Sequence, residues 1–156
     1  MSDCRDILIS LAPAYTRAIL DGKKTVELRR RRLRVGNGTR VWIYSKTPAA
    51  CIEAMAYVES IHEGNPDTLW GDFGDAAGIS RAEFDRYFAG CSRGWALTLT
   101  RVRALTPALN LNVMRSEFAG FHPPQFFKRL SQEEIKGLLL TRPKTPTRHR
   151  PAPMLG

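Results

Sequence analysis

Residues 22–32 read GKKTVELRRRR, the richest concentration in the chain of groups able to bind or transfer charge. On an extended strand side chains alternate, so Glu27 and Arg29 share a face about one pleat repeat apart, ~7 Å. A carboxylate and a guanidinium held that way can converge on one small polar ligand. Lys24 is the third candidate. Strict alternation would put it on the opposite face, but it sits in the turn before the strand, where the chain can re-aim it. A carboxylate accepts from a base amino or imino group, whereas Arg and Lys donate to carbonyl or phosphate oxygens, so the trio suits recognition of a nucleobase or nucleotide. The same residues could equally form a surface salt-bridge network on a half-exposed strand, and residue chemistry leaves both readings open.

The charge around this segment is uneven. The 156-residue chain has 24 Lys and Arg against 15 Asp and Glu, a formal net charge of +9. Residues 23–34 carry +6 and residues 142–156 carry +4, which leaves −1 for everything else. Arg30, Arg31, Arg32 and Arg34 follow the trio directly and are the candidate phosphate contacts. The tail holds four of the ten prolines and few apolar residues, too little to offset the entropy of ordering it. The expected organisation is therefore one domain over residues 1–141 and a basic, Pro-rich disordered tail over 142–156. That tail serves as a solubilising extension or as an arm that touches phosphates.

Other chemistry finds little support. There is no phosphate-cradling Gly-rich loop, no HExxH and no serine nucleophile elbow. His62, His122 and His149 are scattered, and no cysteine lies close to any of them, so neither a metal site nor a cofactor is expected. Cys4, Cys51 and Cys91 form no C-x-x-C pair, the pattern of reduced thiols in a reducing compartment. Residues 1–6 contain no apolar run and no stretch approaches ~18 apolar residues, so the expectation is a cytoplasmic domain without a signal peptide or membrane span.

Stepping outward, the elements that must position the trio are legible. ILISL at 7–11 reads as a buried strand, and Pro13 opens a helix carrying Ala14, Ala18 and Ile19 on one side, with Gly22 as its left-handed cap. A strand over 25–30 points Val26 and Leu28 one way and Glu27 and Arg29 the other. Further strands are expected over 40–45, 51–61 and 95–103. Asn65, Pro66 and Asp67 open a helix running to Phe73. Ser80 with Glu83 forms a capping box for another, ending at Gly90, whose Phe84, Tyr87 and Phe88 stripe reads as core. A short helix is expected over 113–118, and a last one from Ser131, with Glu134 as capping partner, burying Ile135, Leu138 and Leu139. The links between most strands are too short for parallel crossovers. The fold class is α+β: a small, mostly antiparallel, partly closed barrel with flanking helices.

The run ILDGKKTVELRRR, with the preceding ILISLAPAYTRA, resembles the ASCH domain family of the PUA-like superfamily, whose signature is G-x-K-x-x-E-x-R on the strand after the first helix. VWIYSKTP, GISRAEFDRYFAG, GWALTL and HPPQFF follow in the family's order, so the resemblance spans residues 7 to about 130. It implies a PUA-like barrel whose cleft binds RNA or a modified nucleotide. Lys24, Glu27 and Arg29 would line that cleft, with Tyr44, Ser45 and Lys46 from a neighbouring strand end and Gln125 from the closing segment. Tyr44 fits the core as well as the cleft. Some relatives are enzymes, one branch being an amidohydrolase on acetylated cytidine and another linked to ribonuclease activity. For an enzyme here, Lys24 and Glu27 are the working pair. The amidohydrolase branch uses a Lys, a Thr and a Glu; Lys24 matches the first, Glu27 stands where the Thr would be, and Ala77 falls about where the acid is expected. The functional expectation is thus an RNA- or nucleotide-binding module, with a hydrolase in the same cleft or a protein-interaction module as alternatives, and no oligomeric state implied.

Overall fold

The computed structural model describes residues 6–117 and 120–140. The basic tail and its expected disorder lie outside them, as does Phe118 at the end of the expected short helix. Among the described residues six strands form one sheet: β1 (Ile7–Leu11), β2 (Val26–Arg29), β3 (Arg40–Ser45), β4 (Cys51–Gly64), β5 (Gly94–Asn110) and β6 (Phe127–Arg129). Their spatial order is β2-β5-β4-β3-β1-β6. Among the described residues only β1 and β3 pair in parallel, joined through helix α1 (Pro13–Leu20) and β2; the other neighbours are antiparallel. Although β2 and β6 end opposite edges of that order, Arg29 and Phe127 line a common hollow, so the sheet is curled into a half-barrel. This is the mostly antiparallel α+β barrel with flanking helices that the element order predicts.

Alternation along the strands divides the apolar residues into an inner and an outer set. The concave side holds Ile7, Ile9, Val41, Ile43, Val58, Leu97 and Leu99, with Ile19 of α1 packed against them. On the convex side, helices α4 (Leu111–Glu117) and α5 (Gln132–Leu140) set Met114, Ile135 and Leu138 on Leu8, Trp42 and Ile52. Helices α2 (Pro66–Phe73) and α3 (Arg81–Tyr87) set Leu69 and Phe84 on Val26, Leu28 and Ala96. With cover on both faces, β1 is buried throughout, which is why ILISL is nearly unbroken apolar sequence.

The helix signals are realised locally. Asn65 accepts from the Thr68 N–H at 2.8 Å with Pro66 next in line, and Ser80 accepts from the Glu83 N–H at 3.1 Å. Where the structure departs from the sequence reading, long-range pairing is the cause. β4 runs on to Gly64 and β5 to Asn110 because each is the other's partner along most of its length. β5 passes Pro107 because residues 105–108 bulge out opposite Glu53, where a missing ladder donor costs nothing. β6 was not expected; three residues after a Pro-Pro pair carry no strand signal, and β1 supplies the pairing. Leu139, expected in the core, is exposed, since α5 buries only Ile135 and Leu138.

Candidate functional site

The seam between the β2 edge and the β1–β6 side of the half-barrel contains a cavity of roughly 250 Å³. β2 brings Glu27 and Arg29 to it for a simple reason. Val26 and Leu28 are drawn outward into the α2–α3 cluster, and a strand period of two then turns residues 27 and 29 inward. Register confirms the side: Glu27 lies opposite Leu97, a concave-core residue. Ser10 of β1, Tyr15 of α1, Glu83 and Tyr87 of α3, and Phe126 just ahead of β6 complete much of the wall.

Lys24 reaches the same cavity from the turn after α1. The Thr25 N–H donates to the Ala76 carbonyl at 2.8 Å, and Lys24 Nζ donates to the Ala77 carbonyl at 2.6 Å. Gly78 makes this approach possible. Its φ is +68°, and a β-carbon there would come within 2.9 Å of the Lys24 β-carbon. The loop entering α3 thus holds the ammonium beside Glu27.

The trio is buried, with Lys24 3%, Glu27 8% and Arg29 8% exposed. Glu27 sits between two cations: Oε2 is 3.7 Å from Lys24 Nζ and Oε1 is 3.8 Å from Arg29 Nε. Both are ion-pair distances too long for hydrogen bonds. Glu27 Oε2, Arg29 Nε and Arg29 Nη2 accordingly have no hydrogen-bond partner among the described residues. Burying such groups unpaired costs folding free energy, and the two residues that carry them line the cavity. Across from them, Tyr15 Oη donates to Glu83 Oε2 at 2.9 Å; burial first, then this carboxylate, raises the phenol's pKa. Tyr87 Oη donates to the Leu28 carbonyl and accepts from the Arg30 N–H, both at 3.2 Å, and burial raises its pKa also. Both phenols stay protonated at neutral pH.

No protein-family model matches the chain. Over 137 residues it is 36% identical to an ASCH domain-containing ribonuclease of Zymomonas mobilis subsp. mobilis, covering 88% of this chain and 92% of the relative. The chain belongs to the ASCH domain family. The crystal structure of ASCH from Zymomonas mobilis matches with a TM-score of 0.84 at 34% identity, over 89% of this chain and 96% of that one. The fold alone extends further: the human THYN1 protein, in complex with 5-methylcytosine-containing DNA, gives a TM-score of 0.55 at 11% identity over 91% of this chain and 99% of that one. The architecture is the PUA-like barrel.

Within this ASCH domain the sequence-derived candidates separate. Lys24, Glu27, Arg29 and Lys46 line the cavity. Tyr44 does not: Ile43 takes the concave side of β3, so Tyr44 points outward into the cluster with Trp42 and Ile52, and burial raises its pKa. Ser45 is fully buried, its hydroxyl hydrogen-bonded to Glu53 Oε1 at 2.7 Å and Thr16 Oγ1 at 2.8 Å, and it lies behind the cavity wall rather than on it. Gln125 is exposed and outside the lining, whereas its neighbour Phe126 is part of it. Arg30 and Arg31 border a second hollow that shares Arg29, Tyr87 and Phe126 with the ASCH cleft, and Arg32 and Arg34 border a third that meets the second at Leu33. Among the described residues no three His, Cys, Asp or Glu side chains gather as a metal site would require.

Sequence reasoning missed Ser10, Tyr15, Glu83, Tyr87 and Phe126. The capping-box pattern accounts for only part of Glu83: its N–H serves the cap while its carboxylate turns to the ASCH cleft. Tyr87 was read with Phe84 and Phe88 as core; those two are buried, but the Tyr hydroxyl reaches past them to β2. A hydroxylated member in an otherwise hydrocarbon stripe was the available signal.

Proposed function

We propose that this ASCH domain binds single-stranded RNA, seating one nucleobase in the cleft while the arginine run engages the phosphates. The observation that carries the reading is the unpartnered, buried polar set of Glu27 Oε2, Arg29 Nε and Arg29 Nη2 in a cavity that opens onto Arg30 and Arg31. A base edge offers complementary donors and acceptors for that set, and only a ligand returns the free energy those atoms forfeit on folding. The polyanion then follows the arginines, releasing counterions as it binds. A cytoplasmic location accords with the free thiols of Cys51 and Cys91. The test is a fluorescence-anisotropy titration of labelled ten-nucleotide RNAs at several salt concentrations. Affinity should fall steeply with salt, and Glu27→Gln should weaken binding with the salt dependence retained. Binding that ignores both salt and Glu27 would sink the proposal.

A second reading, cleavage of the bound RNA, is favoured by the 36% identical relative named as a ribonuclease. Here Glu27 would take the 2′-hydroxyl proton as the 2′-oxygen attacks phosphorus, the bond from phosphorus to the 5′-oxygen would break with Lys24 supplying the proton to that leaving oxygen, and Arg29 would offset the phosphorane charge, giving a 2′,3′-cyclic phosphate and a 5′-hydroxyl. Incubating 5′-labelled RNA with the full chain, with and without divalent metal, decides between binding alone and turnover. Turnover abolished by both Lys24→Ala and Glu27→Gln assigns the pair; turnover that survives both removes it.

A further inference from the structure

We infer a second nucleotide seat immediately outside the cleft, built to stack the neighbouring base on Phe126 and hold its phosphate with Arg30 and Arg31. This rests on the RNA-binding reading above and deepens it. The seat is a hollow of roughly 270 Å³ that shares Arg29, Tyr87 and Phe126 with the cleft, so a chain leaving one enters the other directly.

Phe126 is the first observation. It is 53% exposed, a costly state for a phenyl ring, and no aromatic stacking partner covers it among the described residues. Its position is nonetheless fixed: its carbonyl accepts from the Ser10 N–H at 3.0 Å, and Phe127 next to it begins β6. A pinned backbone presenting a bare aromatic face is what base stacking uses, and it is tolerant of base identity because every base has a π-face. The other large apolar side chains exposed among the described residues, Val113, Leu139 and Leu140, border no hollow lined by arginines.

The second observation is the opposite wall. Arg30 lies over the Tyr87 ring at 5.0 Å, and the Tyr87 hydroxyl is tied to the backbone of residues 28 and 30, so the guanidinium lies against a ring that is anchored to β2. Arg31 is exposed beside it. Three arginines and three aromatics around one hollow match a nucleotide, whose base is flat and apolar on its faces and whose phosphate is anionic. An acidic peptide would satisfy the arginines but leave Phe126 bare.

Calorimetric titration of the full chain with the four nucleoside 5′-monophosphates and the four homodinucleotides tests the seat. For the base that binds best, the dinucleotide should bind about tenfold tighter than the monophosphate. Phe126→Ala and Arg31→Ala should each drive that ratio toward one, and Phe126→Trp should keep it. A dinucleotide no tighter than its monophosphate, or a ratio that survives Phe126→Ala, overturns the seat and leaves the cleft reading standing. If monophosphates, dinucleotides and a ten-nucleotide RNA all fail to bind, the cleft reading falls and takes the seat with it. If the ratio is lost equally in Phe126→Ala and Phe126→Trp, stacking is not the mechanism and the seat as described is wrong.

Discussion

Two clusters of buried charge in this barrel are finished differently. Asp6, just ahead of β1, accepts on one oxygen from Arg40 Nε at 2.6 Å and Trp42 Nε1 at 2.8 Å, and Arg40 also lies over the Trp42 ring at 5.2 Å. Lys24, Glu27 and Arg29 are more deeply buried than Arg40, yet their ion pairs stop at 3.7 and 3.8 Å and three of their polar atoms have no hydrogen-bond partner among the described residues. The first cluster closes on itself and ties strands together. The second is held short of closure by separate supports, the Ala77 carbonyl for Lys24 and the β2 pleat for Glu27 and Arg29. A satisfied buried pair serves the fold, whereas an unsatisfied one in a cavity withholds its interaction energy for a ligand.

That contrast can be broken by mutation. Asp6→Ala should have the largest effect, a loss of about 3 kcal/mol of stability in urea unfolding, reduced from the fully buried case because Arg40 is partly exposed. RNA affinity of the folded protein should hardly change; a parallel loss of binding would mean the two clusters are one system. Arg29→Met should do the reverse. Binding of single-stranded RNA should weaken by roughly thirtyfold, about 2 kcal/mol, while stability stays level or rises, since an unpaired guanidinium is removed from a buried site. A marked fall in stability would place the trio with the structural pairs. Replacing Arg30, Arg31 and Arg32 together by Ala should cost about tenfold in affinity at moderate salt and make the log–log salt dependence shallower by about 2 to 3. An unaltered slope would remove the run from phosphate contact.

The smallest effect concerns Glu134 of α5, which belongs with the closed type. Burial opposes its ionisation, but hydrogen bonds from Lys128 at 2.7 Å and from the Ser131 N–H at 3.2 Å outweigh that and lower its pKa below 4.5. Because the folded value is depressed, its stabilisation is present above the unfolded pKa and is lost as pH falls through the folded one. The stability difference between the natural chain and Glu134→Gln, under about 1 kcal/mol for so exposed a pair, should therefore shrink between pH 5 and pH 3. A difference that grew with acid would contradict this assignment.

Much of this molecule was legible one segment at a time. Pro13, Asn65, Ser80 and Ser131 mark helix starts that the structure places at or beside them. The alternation of Val26, Glu27, Leu28 and Arg29 by itself puts the two charged residues on one face. The illegible parts depend on distant partners. β6 exists because β1 offers an edge, β5 continues through Pro107 because β4 accommodates a bulge, and Tyr44 is core because α4 and α5 cover that side of β3. Cleft residues Ser10, Tyr15, Glu83, Tyr87 and Phe126 lie on four separate segments, and apart from the one-turn spacing of Glu83 and Tyr87 on α3 no local pattern links them.

The sequence by itself determined most of the elements, the family and the chemistry of one strand, because propensity, capping and a side-chain period of two are properties of a few adjacent residues. Tertiary structure alone decided that Glu27 and Arg29 face inward instead of out to water. The hydrophobic demand of α2 and α3 claims Val26 and Leu28, and alternation leaves the charged pair no other side. It also decided that the arginine run leads from a cleft past an exposed aromatic ring, since that requires β2 and β6 to meet across a curled sheet. Closure of a sheet is a long-range balance of burial, and no window of sequence contains both sides of it.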